Sequence, residues 1–300
     1  GGYQLKHRKG PFMSLSSSKG RALAYSGHCR VIISDIDGTF LNNQKQLQQP
    51  VIDAVRDALA AGIPFLFASG RMYSAIAGWI DDLGLSAPQV VNNGAEVILP
   101  AGRRHLSHQR LSHELVNWLM DQGLQAGFEP VLFSADHVLC HTQPQAAWLI
   151  ERNNEWVNTR PEAELRCPEL VVDKLIFLAD TRADELVDFR DYLAQEAKRA
   201  GIDIIAAFSE RGILNVSNPQ ASKIIAAKIA CDYLGCSLAD AMAIGDGDND
   251  AELLAGVGLG VAMGNATDNT RNAALTQVAD NEHDGLAEAI GRFAIAGEVP

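Results

Sequence analysis

The chain has 300 residues, 47% hydrophobic and 21% charged, with a formal net charge of -12. That is enough apolar material for one large or two modest packed domains, and the acidic balance argues against nucleic acid or an anionic membrane as main partner. Five scattered cysteines, Cys29, Cys140, Cys167, Cys231 and Cys236, form no Cys-x-x-Cys pair; they suggest neither a zinc site nor a disulfide framework, and read as reduced thiols of a cytoplasmic protein.

The first dozen residues, GGYQLKHRKGPF, precede Met13 and read as an expression remnant, and residues 1–29 together as a flexible leader outside the fold. No apolar run approaches the ~18 residues of a membrane span. From Val31 short apolar strands alternate with amphipathic helices. VIISD reads as a strand buried on both faces. VIDAVRDALAAG follows as a helix with Val51, Ile52, Val55 and Leu59 on one face and Gly62 to end it. IPFLFASG, RMYSAIAGWIDDLG and PQVVNNG continue as strand, helix and strand, the last closing on an Asn-Gly turn signal. This βαβαβ rhythm predicts a parallel sheet with helices on both faces.

After Gly94 the rhythm loosens. AEVILP suggests a strand, SHELVNWLMDQG a helix opened by Ser112, and PVLFSADHVLCHT a hairpin. AAWLIERNNEWV reads as a helix, KLIFLAD as a strand and RADELVDFRDYLAQEAKRAG as a long helix. IDIIAAFSERGILNVS reads as a strand pair turning at Glu210–Gly212. These predict an α+β insert. After Pro219 the first rhythm returns, with ASKIIAAKIACDYLG, AMAIGD, DNDAELLAG and VGLGVAM as helix, strand, helix and strand. The expected organisation is an α/β, doubly wound parallel-sheet core of residues 30–94 and 208–300, interrupted by a cap of residues 95–207.

In open parallel sheets the working residues sit where strands end and helices begin. Four such junctions carry polar residues: Asp35 and Asp37 after the first strand, Ser69-Gly70-Arg71 after the second, Lys223 opening a later helix, and GDGDND, which supplies Asp246, Asp248, Asn249 and Asp250. Carboxylates crowded in one crevice resist joint ionisation. A hard cation such as Mg²⁺, with its preference for oxygen ligands, removes the conflict. A phosphate would complete that ion's shell and take hydrogen bonds from Ser69, Lys223 and nearby backbone N–H groups. One aspartate is then free to attack phosphorus, and its neighbour two residues on to carry a proton. Each junction also has a bland reading: solvated turn aspartates, a helix N-cap at Ser69, an exposed helix lysine at position 223. A calcium loop in GDGDND fails because neither the later glycine nor the final glutamate is in place. It is the co-occurrence of all four that points to chemistry.

DIDGT, SGR, a lysine after a long insert and GDGDND together resemble the four ordered motifs of the haloacid dehalogenase (HAD) superfamily. NNGAEVI and GVAMGNA look like its Cof-type phosphatase branch, and the resemblance runs from Val31 to Phe293. It implies a Rossmann-like core with an inserted cap that closes over the crevice and reads the leaving group. It implies that Asp35 is the nucleophile and Asp37 the general acid/base, and that Ser69, Gly70 and Lys223 bind phosphate. Mg²⁺ would be held by Asp35, the Asp37 backbone carbonyl and Asp246, with Asp250 and Asn249 in support. Departures are Ser69 in place of a commoner Thr, Asn215 where an acidic residue is usual, and Ile224 after the lysine where Gly is common.

Arg71 and Asn93 are expected at the substrate edge. Lys174, at the start of a strand in the insert, either faces the site or guards a sheet edge. His105, His108, His113, His137 and His141 read as surface residues, since no metal-ligand spacing on one helix is present. Trp79, Trp118, Trp148 and Trp156 read as core. The resulting expectation is a Mg²⁺-dependent phosphatase of a small phosphorylated metabolite, a sugar phosphate being one candidate, working as a monomer or weak homodimer. The alternatives left open are a phosphotransferase or mutase of the same chemistry, a phospho-receiver module, and a non-catalytic binder of phosphorylated metabolites.

Overall fold

A computed structural model describes residues 25–300. In chain order its strands are β1 (Val31–Ser34), β2 (Phe65–Phe67), β3 (Gln89–Val91), β4 (Glu96–Leu99), β5 (Arg104–His108), β6 (Pro130–Ser134), β7 (His137–Cys140), β8 (Val157–Thr159), β9 (Lys174–Leu178), β10 (Ile205–Glu210), β11 (Ile213–Ser217), β12 (Ala241–Gly245), β13 (Leu259–Ala262) and β14 (Thr276–Gln277). The α-helices are α1 (Gln49–Ala60), α2 (Tyr73–Leu83), α3 (His113–Gln125), α4 (Trp148–Glu151), α5 (Glu162–Leu165), α6 (Ala183–Ala200), α7 (Lys223–Tyr233), α8 (Ala251–Gly256), α9 (Asp268–Ala273) and α10 (Gly285–Ala289).

The core sheet is parallel throughout, in the order β14-β13-β12-β1-β2. Its strands are short, apolar runs because both faces are covered. In β1, Ile32 packs with Val51 and Val55 of α1 and Ile76 and Ile80 of α2. Val31 and Ile33 point the other way, onto Ala226, Ala227 and Ala230 of α7 and Leu253 and Leu254 of α8.

A six-stranded sheet, β10-β11-β9-β6-β7-β8, forms the cap. One face buries Leu132, Leu175, Phe177 and Leu214 against Leu119 of α3 and Leu186, Phe189 and Leu193 of α6. The other sets Val131, Phe133, Ile176 and Ile213 toward Met72 and Ala75 of the core. The cap sheet is therefore a roof laid over the start of α2.

The structure moves both expected boundaries. After β3 the chain turns back through Asn92, Asn93 and Gly94, all at positive φ (50°, 56° and 94°). Asparagine and glycine tolerate that region, so β4 returns antiparallel to β3 and β5 antiparallel to β4, beside the core rather than in the cap. At the other end β10 pairs with β11 and β11 with β9, so residues 208–217 belong to the cap sheet. The leader also shortens. Tyr25 is buried, its hydroxyl donating to the Phe293 carbonyl at 3.0 Å, and Cys29 is buried in the same core; residues 1–24 lie outside the described residues. The helix read through AAWLIERNNEWV narrows to α4 and a preceding 3₁₀ turn; Trp148, at the start of α4, and Trp156, beyond its end, are exposed instead of in the core. Ser112 caps α3, accepting from the Leu115 N–H at 3.2 Å. Among the described residues no helix is long and apolar enough to cross a membrane.

Gly94 is where β3–β4 presses against α7: a Cβ there would lie 2.3 Å from the Ser222 carbonyl oxygen. Gly94→Ala combines that clash with a left-handed backbone, and is expected to lose about 1–3 kcal/mol of stability. Urea unfolding checks this; an unchanged midpoint would mean the turn and α7 relax freely.

Candidate active site

β12, β1 and β2 are adjacent and parallel, so their carboxyl ends open onto one crevice. Asp35 follows β1, its N–H donating to the Ile244 carbonyl at 2.9 Å, and Asp246 follows β12. Gly38, at φ +79°, makes room between them: a Cβ there would sit 2.2 Å from an Asp246 carboxylate oxygen. Thr39 Oγ1 donates to Asp246 Oδ1 at 2.7 Å and fixes that side chain.

Lys223 is the first residue of α7, whose N-cap, Ser222, accepts from the Ile225 N–H at 3.2 Å. A lysine at a helix N-terminus opposes the helix dipole; carboxylates account for its position. Its buried Nζ donates to Asp35 Oδ1 at 2.9 Å and to Asp250 Oδ1 at 2.6 Å. The other Asp250 oxygen accepts from the N–H groups of Asp246 and Gly247, at 3.1 and 3.0 Å. Carboxylate oxygens of Asp35, Asp246 and Asp250 all lie within 4.8 Å of one another. Burial, then the neighbouring Asp250 charge, pushes the Asp35 carboxyl up to about 7 against the pull of Lys223. Burial and the charges of Asp35 and Asp250 raise Asp246 well above the usual carboxylate range. Three carboxylates and one ammonium leave the cluster short of positive charge. Its donors are all hard oxygens, the set that suits Mg²⁺.

Asp37 turns away from that cluster. Arg71 grips it with Nη2 at 2.6 Å and Nε at 2.9 Å, and Lys45 Nζ donates to it at 2.7 Å. Burial alone would raise this carboxyl; the hydrogen bonds and charges of Arg71 and Lys45 outweigh it and hold Asp37 well below the usual range. Arg71 reaches the cap as well, donating to Asn153 Oδ1 at 3.1 Å. Glu155 of the cap accepts from the Met72 N–H at 2.9 Å. Lys174 donates to the Gly70 carbonyl and lies 4.2 Å from the centre of the Phe133 ring. Between core and cap lies a cavity of about 380 Å³, bordered by Asp35, Asp37, Arg71, Lys174 and Asp246 among others.

Of the residues singled out in the sequence, Asp35, Lys223, Asp246 and Asp250 converge directly. Gly70, Arg71 and Lys174 border the cavity. Lys174 starts β9, an interior strand, and is buried, so the edge-guard reading is overturned. Ser69 is buried, its hydroxyl accepting from the Arg71 N–H at 3.1 Å, which shapes the loop. Asn249 donates to Asn93 Oδ1 at 3.1 Å; the pair ties the β3 turn to the loop after β12, and Asn93 lies beside Lys223 rather than on the main cavity. Asn215 belongs to β11, donating to Ser209 Oγ at 3.0 Å on the cap side of the cavity. Missed in the sequence were Thr39, Lys45, Asn153, Glu155 and the Arg152–Glu210 pair, which meets at 2.6 Å at the cavity wall. Only Thr39 carried a signal, being part of DGT.

The profile of the haloacid dehalogenase-like hydrolases matches residues 32–290. The chain belongs to that family. It is 27% identical over 268 residues to the 5-amino-6-(5-phospho-D-ribitylamino)uracil phosphatase YitU of Bacillus subtilis, covering 88% of this chain and 97% of that protein. It is also 27% identical over 277 residues to a protein of Arabidopsis thaliana named endoribonuclease YBEY, chloroplastic; the match takes in 88% of this chain and only 46% of that longer protein. The crystal structure of a haloacid dehalogenase-like hydrolase from Bacteroides thetaiotaomicron superposes with a TM-score of 0.77 at 23% identity, over 88% of this chain and 99% of the other. The family and the fold are those that the four motifs led one to expect.

Arg71→Met is expected to move the Asp37 carboxyl up toward the ordinary value of about 3.9, with Lys45 still holding it partly down. Because its pKa is depressed on folding, Asp37 stabilises the native chain above that ordinary value, and this is lost as pH falls through the folded pKa. Carbon-13 NMR titration of the side-chain carboxyl reads the shift; identical titration in wild type and variant would show that Arg71 does not hold the group.

Proposed function

We propose that this hydrolase is a divalent-metal-dependent phosphatase of a small phosphorylated metabolite, working through an aspartyl-phosphate on Asp35. What carries the reading is the buried cluster of Asp35, Asp246 and Asp250 around the single ammonium of Lys223. An unbalanced set of hard oxygen donors beside a cavity fits a cation and an anionic substrate together. Asp35 and Asp246 would hold Mg²⁺, with Asp250 and the Asp37 carbonyl in support, and the ion would neutralise charge on the transferring phosphoryl group.

Asp35 attacks phosphorus, forming an O–P bond as the bond to the leaving alcohol breaks. Water then attacks the same phosphorus and releases Asp35 and inorganic phosphate. Lys223 favours the ionised form of Asp35 against burial and the Asp250 charge, and holds its carboxylate in place. Asp37 is the proton carrier. Paired with Arg71 and Lys45 it is a carboxylate, ready to take a proton from water but not to give one. A phosphate dianion competes for both cations. As they turn toward substrate, Asp37 regains proton affinity, takes a proton from solvent water and can then pass it to the leaving oxygen. Gly70 offers its backbone N–H to a phosphate oxygen, the Ser69 N–H being taken by the Val90 carbonyl and the Arg71 N–H by Ser69 Oγ.

The cavity favours a polar leaving group. Its cap side combines Phe133, Ile150, Ile176 and Ile213 with Arg152, Asn153, Lys174, Glu210 and Asn215, an apolar floor with donors and acceptors around it. Sugar and polyol phosphates fit that mixture, and YitU carries a phosphoribityl group in its substrate name.

Phosphate release from a panel of sugar phosphates, nucleotides and an aryl phosphate is expected with Mg²⁺, to vanish with chelator, and to be abolished by Asp35→Asn. Asp37→Asn is expected to lose about 10²–10⁴-fold in kcat. Product analysis separates hydrolysis from transfer to a second hydroxyl. Release that persists in Asp35→Asn would sink the covalent route.

A further inference from the structure

Outside the crevice, a second cluster of metal-ligating side chains lies where β4 and β5 meet the cap. His105 and His108 are three residues apart, a spacing that in a regular strand places side chains on opposite faces. Here β5 is irregular: Val97 pairs with Ser107 but Ile98 pairs with His105, so Leu106 is an extra residue. That bulge brings both imidazoles to one side, where they stack with centroids 4.5 Å apart and planes 4° from parallel.

Glu96 of β4 is buried beneath them. Its Oε1 lies 2.7 Å from His105 Nε2 and 3.9 Å from His108 Nε2, and its Oε2 accepts from Asn92 Nδ2 at 2.7 Å. On the other side His108 Nε2 is 2.5 Å from Oδ1 of the fully buried Asp173, whose Oδ2 accepts from the Ala135 N–H at 3.0 Å. Ligand atoms of Glu96, His105 and His108 all fall within 4.8 Å of one another. Lys174, next in the chain, spends its ammonium on Gly70 and supplies no hydrogen bond to either carboxylate.

We propose that Glu96, His105 and His108, with Asp173 as the fourth group, form a site for a borderline divalent transition ion such as Zn²⁺. Two imidazoles and a carboxylate are a zinc-type donor set, distinct from the all-oxygen set of the crevice. The dication would balance two buried carboxylates while both rings stay neutral. Asn92 on Glu96 and the Ala135 N–H on Asp173 are the outer hydrogen bonds that orient such ligands. His105, with its side chain 42% exposed, gives the ion a path in from solvent. The consequence is mechanical. Glu96, His105 and His108 ride on the strand pair beside the core, whereas Asp173 immediately precedes β9, whose Lys174 holds Gly70. A bound ion would pin the cap strand to the core next to the Ser69-Gly70-Arg71 loop.

The test is calorimetric titration of Zn²⁺ into the full chain with Mg²⁺ in excess, so that the hard oxygen site is filled, beside His105→Ala and His108→Asn. One Zn²⁺ per chain is expected in the wild type, at least about tenfold weaker in His105→Ala, with a Zn²⁺-induced rise in Tm that the variants lose. Co²⁺ in place of Zn²⁺ should give a visible spectrum of nitrogen ligation in the wild type alone. Should His108→Asn fail to fold, His105→Ala, at a half-exposed position, decides. Equal Zn²⁺ binding by wild type and His105→Ala, or none by either, would overturn the proposal and leave the rings as hydrogen-bond partners of Glu96 and Asp173.

Discussion

Asp35, Asp246 and Asp250 crowd together with one lysine between them, and much of the core is arranged to make that tolerable. Buried carboxylates in close company are costly unless each finds donors or counter-charge. Asp250 is satisfied completely, by Lys223 and two backbone N–H groups. Among the described residues Asp246 has only the Thr39 hydroxyl as donor, and the Asp35 carboxylate only Lys223. The deficit therefore sits on the two carboxylates that border the cavity. Lys223 stands where a helix dipole disfavours it, Gly38 has no Cβ so that Asp246 can approach, and Gly94 lets the β3 turn lie against the N-cap of α7. Each concession serves the same point in space.

A second charge system, Asp37 with Arg71 and Lys45, carries one positive charge in excess and is connected to the cap. The Ser69-Gly70-Arg71 loop is held from above at three points: Asn153 on Arg71, Lys174 on Gly70 and Glu155 on the Met72 N–H. Glu155 and Lys174 are both buried, and burial raises the one carboxyl and lowers the other ammonium. Neither group would be placed there for packing alone. They fasten the roof to the loop that supplies the proposed phosphate contacts.

The parallel core was legible because its strands are buried on both faces, which writes them as short continuous apolar runs, and because strand ends in such sheets collect the chemistry. DIDGT, SGR, Lys223 and GDGDND are all local strings at such ends. The boundaries were less legible. The Asn92-Asn93-Gly94 turn was visible, but nothing local says that the returning strand stays with the core. Likewise β10 and β11 have no local mark of the sheet they join. Residues that act through partners far along the chain were silent for the same reason: Asn153 and Glu155 lie more than 80 residues from the Arg71 and Met72 groups they hold. His105 and His108 carry no helical metal-ligand spacing; a one-residue bulge, which leaves no mark in composition, is what aligns them.

Arg71 joins these systems in a way that bears on the order of events. It is one guanidinium with two sets of acceptors, the Asp37 carboxylate in the core and Asn153 in the cap. Displacing the cap removes the Asn153 contact and leaves Arg71 free to follow either an incoming anion or Asp37. With the cap seated, Arg71 is pinned at both ends and Asp37 stays ionised. Under the proposed reaction, proton donation by Asp37 thus requires that substrate, and not solvent, has displaced the cation. Water entering an empty site offers Arg71 no competing charge, so Asp37 stays a carboxylate until a dianion arrives.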